Sequence, residues 1–153
     1  MKYLSLLKKN KFFDNEIHTN DYLQNQNSSI KNNTEENIIG KDKYIEEGVY
    51  HIDALDGSIS ILKKIPGNSK AEKTKNIALI VLHIKKEPIH ASLIIPLCEK
   101  HNCYDQANFS SMFKNEKTNI VRKGSGKAWT IELTKPGKEA AIKLLEDMVN
   151  ASK

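Results

Sequence analysis

CYDQANFSSMFKNEKTNIVRKGSGKAWTIELT, residues 103–134, carries a helical pattern followed at once by a strand pattern. Its first half carries Phe109, Met112 and Phe113 at helical spacing behind Asp105, a residue suited to cap a helix N-terminus. Its second half switches to alternation: Ile120–Val121, then Trp129, Ile131 and Leu133, with Gly124–Ser125–Gly126–Lys127 between them. The pattern predicts a helix over 105–117, then two strands joined by a hairpin whose tip spans 122–128.

Downstream, Pro136–Gly137 opens a last helix, KEAAIKLLEDMV. Upstream, KAEKTK leads into IALIVLHIKK. The charged lead and the length favour a buried helix, while the Ile and Val content also suits a strand. Pro88 ends it. Residues 91–101 read as a second helix with Leu93, Ile94, Leu97 and Cys98 apolar, and Pro96 demands a kink or a late start. Further back, Val49, Tyr50 and Ile52 precede a turn at Asp56–Gly57, and Ile59, Ile61, Leu62 and Ile65 follow it. That is a hairpin stopped by Pro66–Gly67–Asn68. A two-stranded hairpin is barely stable alone, so it leans on the C-terminal domain or on another chain.

The expected organisation is α+β. Residues 1–13 form a short helix, read either as a docking peptide or as a frayed terminus. Residues 14–43, rich in Asn, Gln, Ser and Thr, form a flexible linker with too little apolar surface to offset the entropy of ordering. Residues 44–69 are the hairpin appendage, and 70–153 the main domain.

At 153 residues with 39% hydrophobic side chains, the chain holds one domain plus an appendage, and a mean hydropathy of −0.55 fits an unpacked part. The longest apolar run, Ile77 to His83, falls well short of the about 18 residues that a membrane span needs. Lys8, Lys9 and Lys11 follow rather than precede a very short apolar stretch, which argues against a signal peptide. Two cysteines do not make a disulfide scaffold, so a thiol-reducing cytoplasmic location is expected, with no membrane partner. The net charge of +5 is uneven: residues 1–69 carry −1 and residues 70–153 carry +6. A basic compact half points to a polyanionic partner. A single arginine among so many Lys and Asn also fits codon bias, under which some of the charge has no functional meaning.

Three helices, a hairpin with a basic tip and a further helix follow one another in winged-helix order. On CEKHNCYDQANFSSMFK (98–114), RKGSGKAWTIELT (122–134) and LTKPGKEAA (133–141), residues 70–150 resemble the winged helix-turn-helix domains of bacterial regulators. LTKPG is similar to the Leu-Thr-x-x-Gly join that ends the wing in multiple-antibiotic-resistance-type regulators. The resemblance does not cover residues 1–69. It implies a third helix in the DNA major groove and a wing on the backbone, although such domains also serve as protein-interaction modules.

A helical wheel with Phe109, Met112, Phe113 and Glu116 inward turns Ala107, Ser110, Ser111, Lys114 and Thr118 outward, with Asn108 and Asn115 on the flank. The expected base-facing residues are Gln106, Asn108, Ser110 and Ser111, and the expected backbone contacts are Lys114, Lys117, Arg122, Lys123, Ser125 and Lys127. Trp129 anchors the wing strand. On the last helix Ile142, Leu145 and Val149 form a core stripe. Leu144 and Met148 widen it, so Leu144, Leu145 and Met148 are read as a surface covered by the 49–65 hairpin or by a second copy.

Cys98, His101 and Cys103 lie close in sequence, but structural zinc sites use two close ligand pairs, so they are read as core and turn residues, with a redox pair as a rarer alternative. GSGK departs from a phosphate loop, with Val121 at the first glycine position and Ala128 in place of Ser/Thr. No catalytic arrangement is legible, and no metal or cofactor is expected. The expectation is a dimeric, non-enzymatic transcription regulator on double-stranded DNA. Its rival is an adaptor subunit that binds proteins through the winged helix and through residues 1–65.

Overall fold

The computed structural model describes residues 42–151, so the expectations for residues 1–41 lie outside the described residues. In chain order the chain forms α1 (Lys43–Glu46), β1 (Tyr50–Ile52), β2 (Ile59–Ile61) and α2 (Lys70–Lys85). β3 (Ile89–His90), a 3-10 turn (Ala91–Ile94) and α3 (Ile95–Lys100) follow. The remainder is α4 (Phe109–Asn115), β4 (Ile120–Lys123), β5 (Thr130–Leu133) and α5 (Lys135–Asn150). The architecture is mixed α+β with two small antiparallel sheets.

α2 is the central helix. Ser69 caps it, accepting the Glu72 amide at 3.1 Å, while Glu72 accepts the Asn68 amide at 2.6 Å. This is a capping box written as Ser-x-x-Glu. Ile77 through Leu82 are buried on every side, which settles the helix-or-strand question: neighbours surround this helix instead of covering one stripe. Its principal neighbour is α5. Lys86, in the left-handed conformation, ends α2 by donating its amide to the Leu82 carbonyl at 2.9 Å.

Pro96 lies in the first turn of α3, where its missing N–H costs nothing, so the second helix starts late as a 3-10 turn. α3 ends in a Schellman cap. Asn102 is left-handed, the Cys103 amide reaches the Cys98 carbonyl at 2.8 Å, and the Asn102 amide reaches Glu99 at 3.0 Å. Cys98 and Cys103 are thus the two residues whose side chains meet across such a cap, and both are fully buried. Burial, with the Cys103 thiol alongside, pushes the Cys98 thiol up to about 12. The Cys-x4-Cys spacing therefore has a structural cause. Among the described residues no group of three His, Cys, Asp or Glu is placed to hold a metal ion.

β1 and β2 pair as the expected hairpin, Tyr50 opposite Ile61 and Ile52 opposite Ile59. Val49, Tyr50, Ile61 and Ile65 join the same buried cluster as the residues beyond 70, so the hairpin is part of that core and not an appendage beside it. Residues 43 onward form one compact unit. β5 is the centre of the second sheet, in the order β3–β5–β4, with Ile89 opposite Ile131 and Arg122 opposite Ile131 on the other side. β3 was not expected. It is two residues long and exists only through its pairing with β5.

The join between β5 and α5 rests on Thr134 and Gly137. Thr134 Oγ1 accepts the Gly137 amide at 3.0 Å and donates to the Thr118 carbonyl at 2.6 Å, so one hydroxyl caps α5 and holds the start of β4. Gly137 is fixed by a close approach, since a Cβ there would lie 1.9 Å from the Asn119 carbonyl oxygen.

The apolar stripe of α5 differs from the expectation. Leu145 and Met148 are buried in the core, Leu144 is half-buried, and Ile142, expected in the core, is 45% exposed. The cover comes from the same chain: Lys63 donates to the Met148 carbonyl at 3.1 Å, and Lys43 and Tyr44 both reach Glu146. Leu145 and Met148 are therefore not a dimer surface. Among the described residues no helix is long and apolar enough to cross a membrane.

Candidate nucleic-acid interface

α4 is shorter than expected, 109–115 in place of 105–117. Asp105 does not cap the helix. It closes a separate turn in which its carboxylate accepts the Asn108 side-chain amide at 2.8 Å and its carbonyl accepts the Phe109 amide at 2.8 Å. That turn satisfies itself, so helical geometry begins only after Asn108. The hydrogen bond from Asn108 holds the Asp105 carboxyl below the usual carboxylate range, and it is ionised at neutral pH.

Phe109 and Phe113 anchor α4 inward. Phe109 meets Tyr104 at 5.5 Å and Phe113 at 5.3 Å, and both meet Trp129 at 5.8 Å between ring centroids. These tilted and edge-on ring contacts pin the helix to the base of the wing. Trp129, just before β5, thus ties that strand to α4.

The C-terminal end of α4 is set by Glu116. One carboxylate oxygen accepts the Thr118 and Asn119 amides, each at 3.1 Å, and the other pairs with Lys75 of α2 at 2.9 Å. Burial works against its ionisation, but the Asn119 and Thr118 amides and Lys75 outweigh it, so its carboxyl sits below the ordinary 4.5.

Strand alternation separates two cations that lie together in sequence. Arg122 shares a face with Ile120 and Ile131, and Lys123 takes the other face with Glu132. Lys123 pairs with Glu132, its diagonal cross-strand neighbour, at 2.6 Å. The Arg122 guanidinium lies 4.2 Å from the Trp129 ring centroid. Its Nη1 donates to Ser110 Oγ at 2.7 Å and to the Ser110 carbonyl at 3.0 Å. Arg122 therefore bolts the β4–β5 hairpin to α4. This role was not legible as a motif, but the alternation outward from Ile120 placed Arg122 on the helix side.

Between α4 and the β4–β5 hairpin runs an open groove of about 680 Å³, lined among others by Ser110, Lys114, Glu116, Lys117, Arg122 and Ser125. Gly124 lets the chain turn at its rim with φ +85°. The expected residues Gln106, Asn108, Ser111, Lys123 and Lys127 do not line this groove. Lys114, Lys117 and Lys127 form no ion pair among the described residues. The arrangement supplies the cationic ends of Lys114, Lys117 and Arg122 and glycine backbone around an open channel, against one carboxylate, Glu116, which is held by Lys75 and two backbone amides. Compared with protein-family models, curated proteins and solved structures, the chain matches none.

Proposed function

We propose that residues 70–151 act as a winged helix-turn-helix module that binds double-stranded DNA through α4 and the β4–β5 wing. The observation that carries this reading is the groove between them, with Lys114 and Lys117 on its wall and no carboxylate spent on either lysine. The element order of three helical segments, wing and helix, with a third short strand on β5, supports it. So does the net +6 of residues 70–153. Lys114, Lys117 and Lys127 contact phosphates, with Ser125 and the glycine backbone of the wing tip beside them. The module is non-enzymatic and serves in regulation of transcription in the cytoplasm, with no cofactor.

Fluorescence anisotropy with a mixed-sequence 30-mer duplex tests this. Binding at 50 mM salt should weaken roughly 40-fold by 200 mM if about three phosphates are neutralised. No binding at 50 mM salt sinks the proposal.

One observation favours an adaptor as a second reading. Leu55 at the hairpin turn is 98% exposed, and Leu62 just past β2 is 60% exposed. Apolar side chains there suit a protein partner on the hairpin side of the chain.

A further inference from the structure

β4 is an outer strand of its sheet: the order β3–β5–β4 leaves its far edge without a partner strand among the described residues. The register shows which backbone groups face that edge. Asn119 stands opposite Thr134, one step beyond the Ile120–Leu133 pair, and the Thr134 amide donates to the Asn119 carbonyl at 3.0 Å. Hydrogen-bonded and open pairs alternate along an antiparallel ladder. Val121 and Lys123 therefore bond to β5, while Ile120 and Arg122 turn their backbone N–H and C=O outward. Each of these two residues presents a donor and an acceptor to whatever lies beside the strand.

The groove between α4 and the β4–β5 hairpin lies along this edge. Val121 and Arg122 both line it, yet they are consecutive in β4 and their side chains point to opposite faces of the sheet. A space touched by both sits at the side of the strand, and β5 fills the other side. The lining extends past β4 at both ends, to Lys117 before it and Ser125 after it. α4 forms the facing wall with Ser110 and Lys114, one helical turn apart, on the side where Arg122 reaches Ser110. A free strand edge facing a helix is the geometry into which an extended peptide adds as a further strand.

The charge of the walls selects the occupant. Lys114, Lys117 and Arg122 line the groove with one carboxylate, Glu116, which pairs with Lys75. A second copy of this chain would bring the same cations to the same edge, and like charges opposite one another weaken a strand pair. An acidic strand meets opposite charge. Alternation sets its pattern: side chains on the α4 side meet Lys114 and Arg122, and those on the other side pack beside Val121.

We propose that an extended segment of a partner protein, alternating acidic and apolar residues, adds to the free edge of β4 and fills this groove. Ile120 and Arg122 supply the backbone hydrogen bonds, Lys114 and Lys117 the charge, and Val121 the apolar contact. Because duplex DNA would use the same lysines, the bound strand shuts it out. That exclusion rests on the duplex-binding reading above; the docking does not.

Fluorescence anisotropy with the full chain at 50 mM salt tests it. The probe is a labelled peptide of about eight residues alternating aspartate and valine, with two relatives that carry backbone N-methyl groups on the aspartates or on the valines. An added strand turns the amides of one alternate set toward its neighbour. One methylated peptide should therefore bind like the parent probe, and the other about tenfold or more weaker. Lys114→Glu should weaken the parent probe by about tenfold or more as well. Unlabelled probe should displace a bound mixed-sequence duplex. A probe that fails to bind, or two methylated peptides that bind equally, overturns the docking while leaving any duplex binding intact. A probe that binds beside an undisplaced duplex overturns the shared groove. A duplex that fails to bind where the probe does sinks the duplex reading alone, and the docking stands.

Discussion

Gly137 Cα lies against the backbone of Asn119 so closely that a methyl group would sit 1.9 Å from the Asn119 carbonyl oxygen. That same carbonyl accepts the Thr134 amide at 3.0 Å, so it is held on both sides and has nowhere to retreat. The contact welds the first turn of α5 to the entry of β4, and through β4 it fixes where the β4–β5 hairpin leaves the core.

Gly137→Ala tests that contact against helix propensity. Alanine favours a helix over glycine by about 1 kcal/mol, so an uncrowded position gains stability. Here the methyl must push strand and helix apart, and overpacking of this kind costs about 1–3 kcal/mol or more. Urea unfolding should show a net loss. A variant as stable as the parent chain would mean that Asn119 does not bear on Gly137.

Salt dependence separates the two kinds of cation at the wing. Lys114→Ala removes a phosphate contact, so the slope of log affinity against log salt should become shallower by about 0.9. Arg122→Ala removes a bolt between wing and helix. It should weaken every duplex alike and leave the slope unchanged, because its guanidinium is directed at Trp129 and Ser110 and not at a phosphate. A shallower slope for Arg122→Ala would make it a phosphate contact after all.

Glu116 gives the fold a pH dependence whose sign is fixed. Its carboxyl is held below the ordinary 4.5, so the unfolded chain takes up the proton first as pH falls. The stabilisation is complete above about 4.5 and is lost as pH drops through the depressed folded value. Glu116→Gln lacks that stabilisation. Unfolding curves should show the parent chain ahead of Glu116→Gln near pH 7, with the gap closing below about pH 4. An equal gap at both ends would assign the loss to shape and not to charge.

What the sequence made legible was periodicity. The run Ile77–Leu82, the two β-hairpins and the turn at Pro136–Gly137 follow from local residue chemistry, and the structure has elements at each. β3 was not legible because two residues carry no period, and pairing with β5 creates the strand. The start of α4 was misplaced because Asp105 suits a cap and a self-satisfied turn equally. Lys114, Lys117 and Ser125, which the sequence offers as backbone contacts, line one groove. The separation of Arg122 from Lys123 was available in the strand alternation. The commitment of Ser110 to Arg122 was not, because it joins residues twelve apart in two different elements.

Leu145 carries the last test, because the sequence alone left its role open between core and dimer surface. It is fully buried, on the helix that packs along α2, and its cover comes from the same chain. Leu145→Ala therefore opens a cavity and should cost about 2–5 kcal/mol in urea unfolding. Ile142, 45% exposed on the same helix, should cost within about 0.5 kcal/mol when cut to alanine. Light scattering below the unfolding transition should give the same particle mass for both variants and for the parent chain. A Leu145→Ala chain that kept its stability but changed its mass would return this residue to an interface between copies.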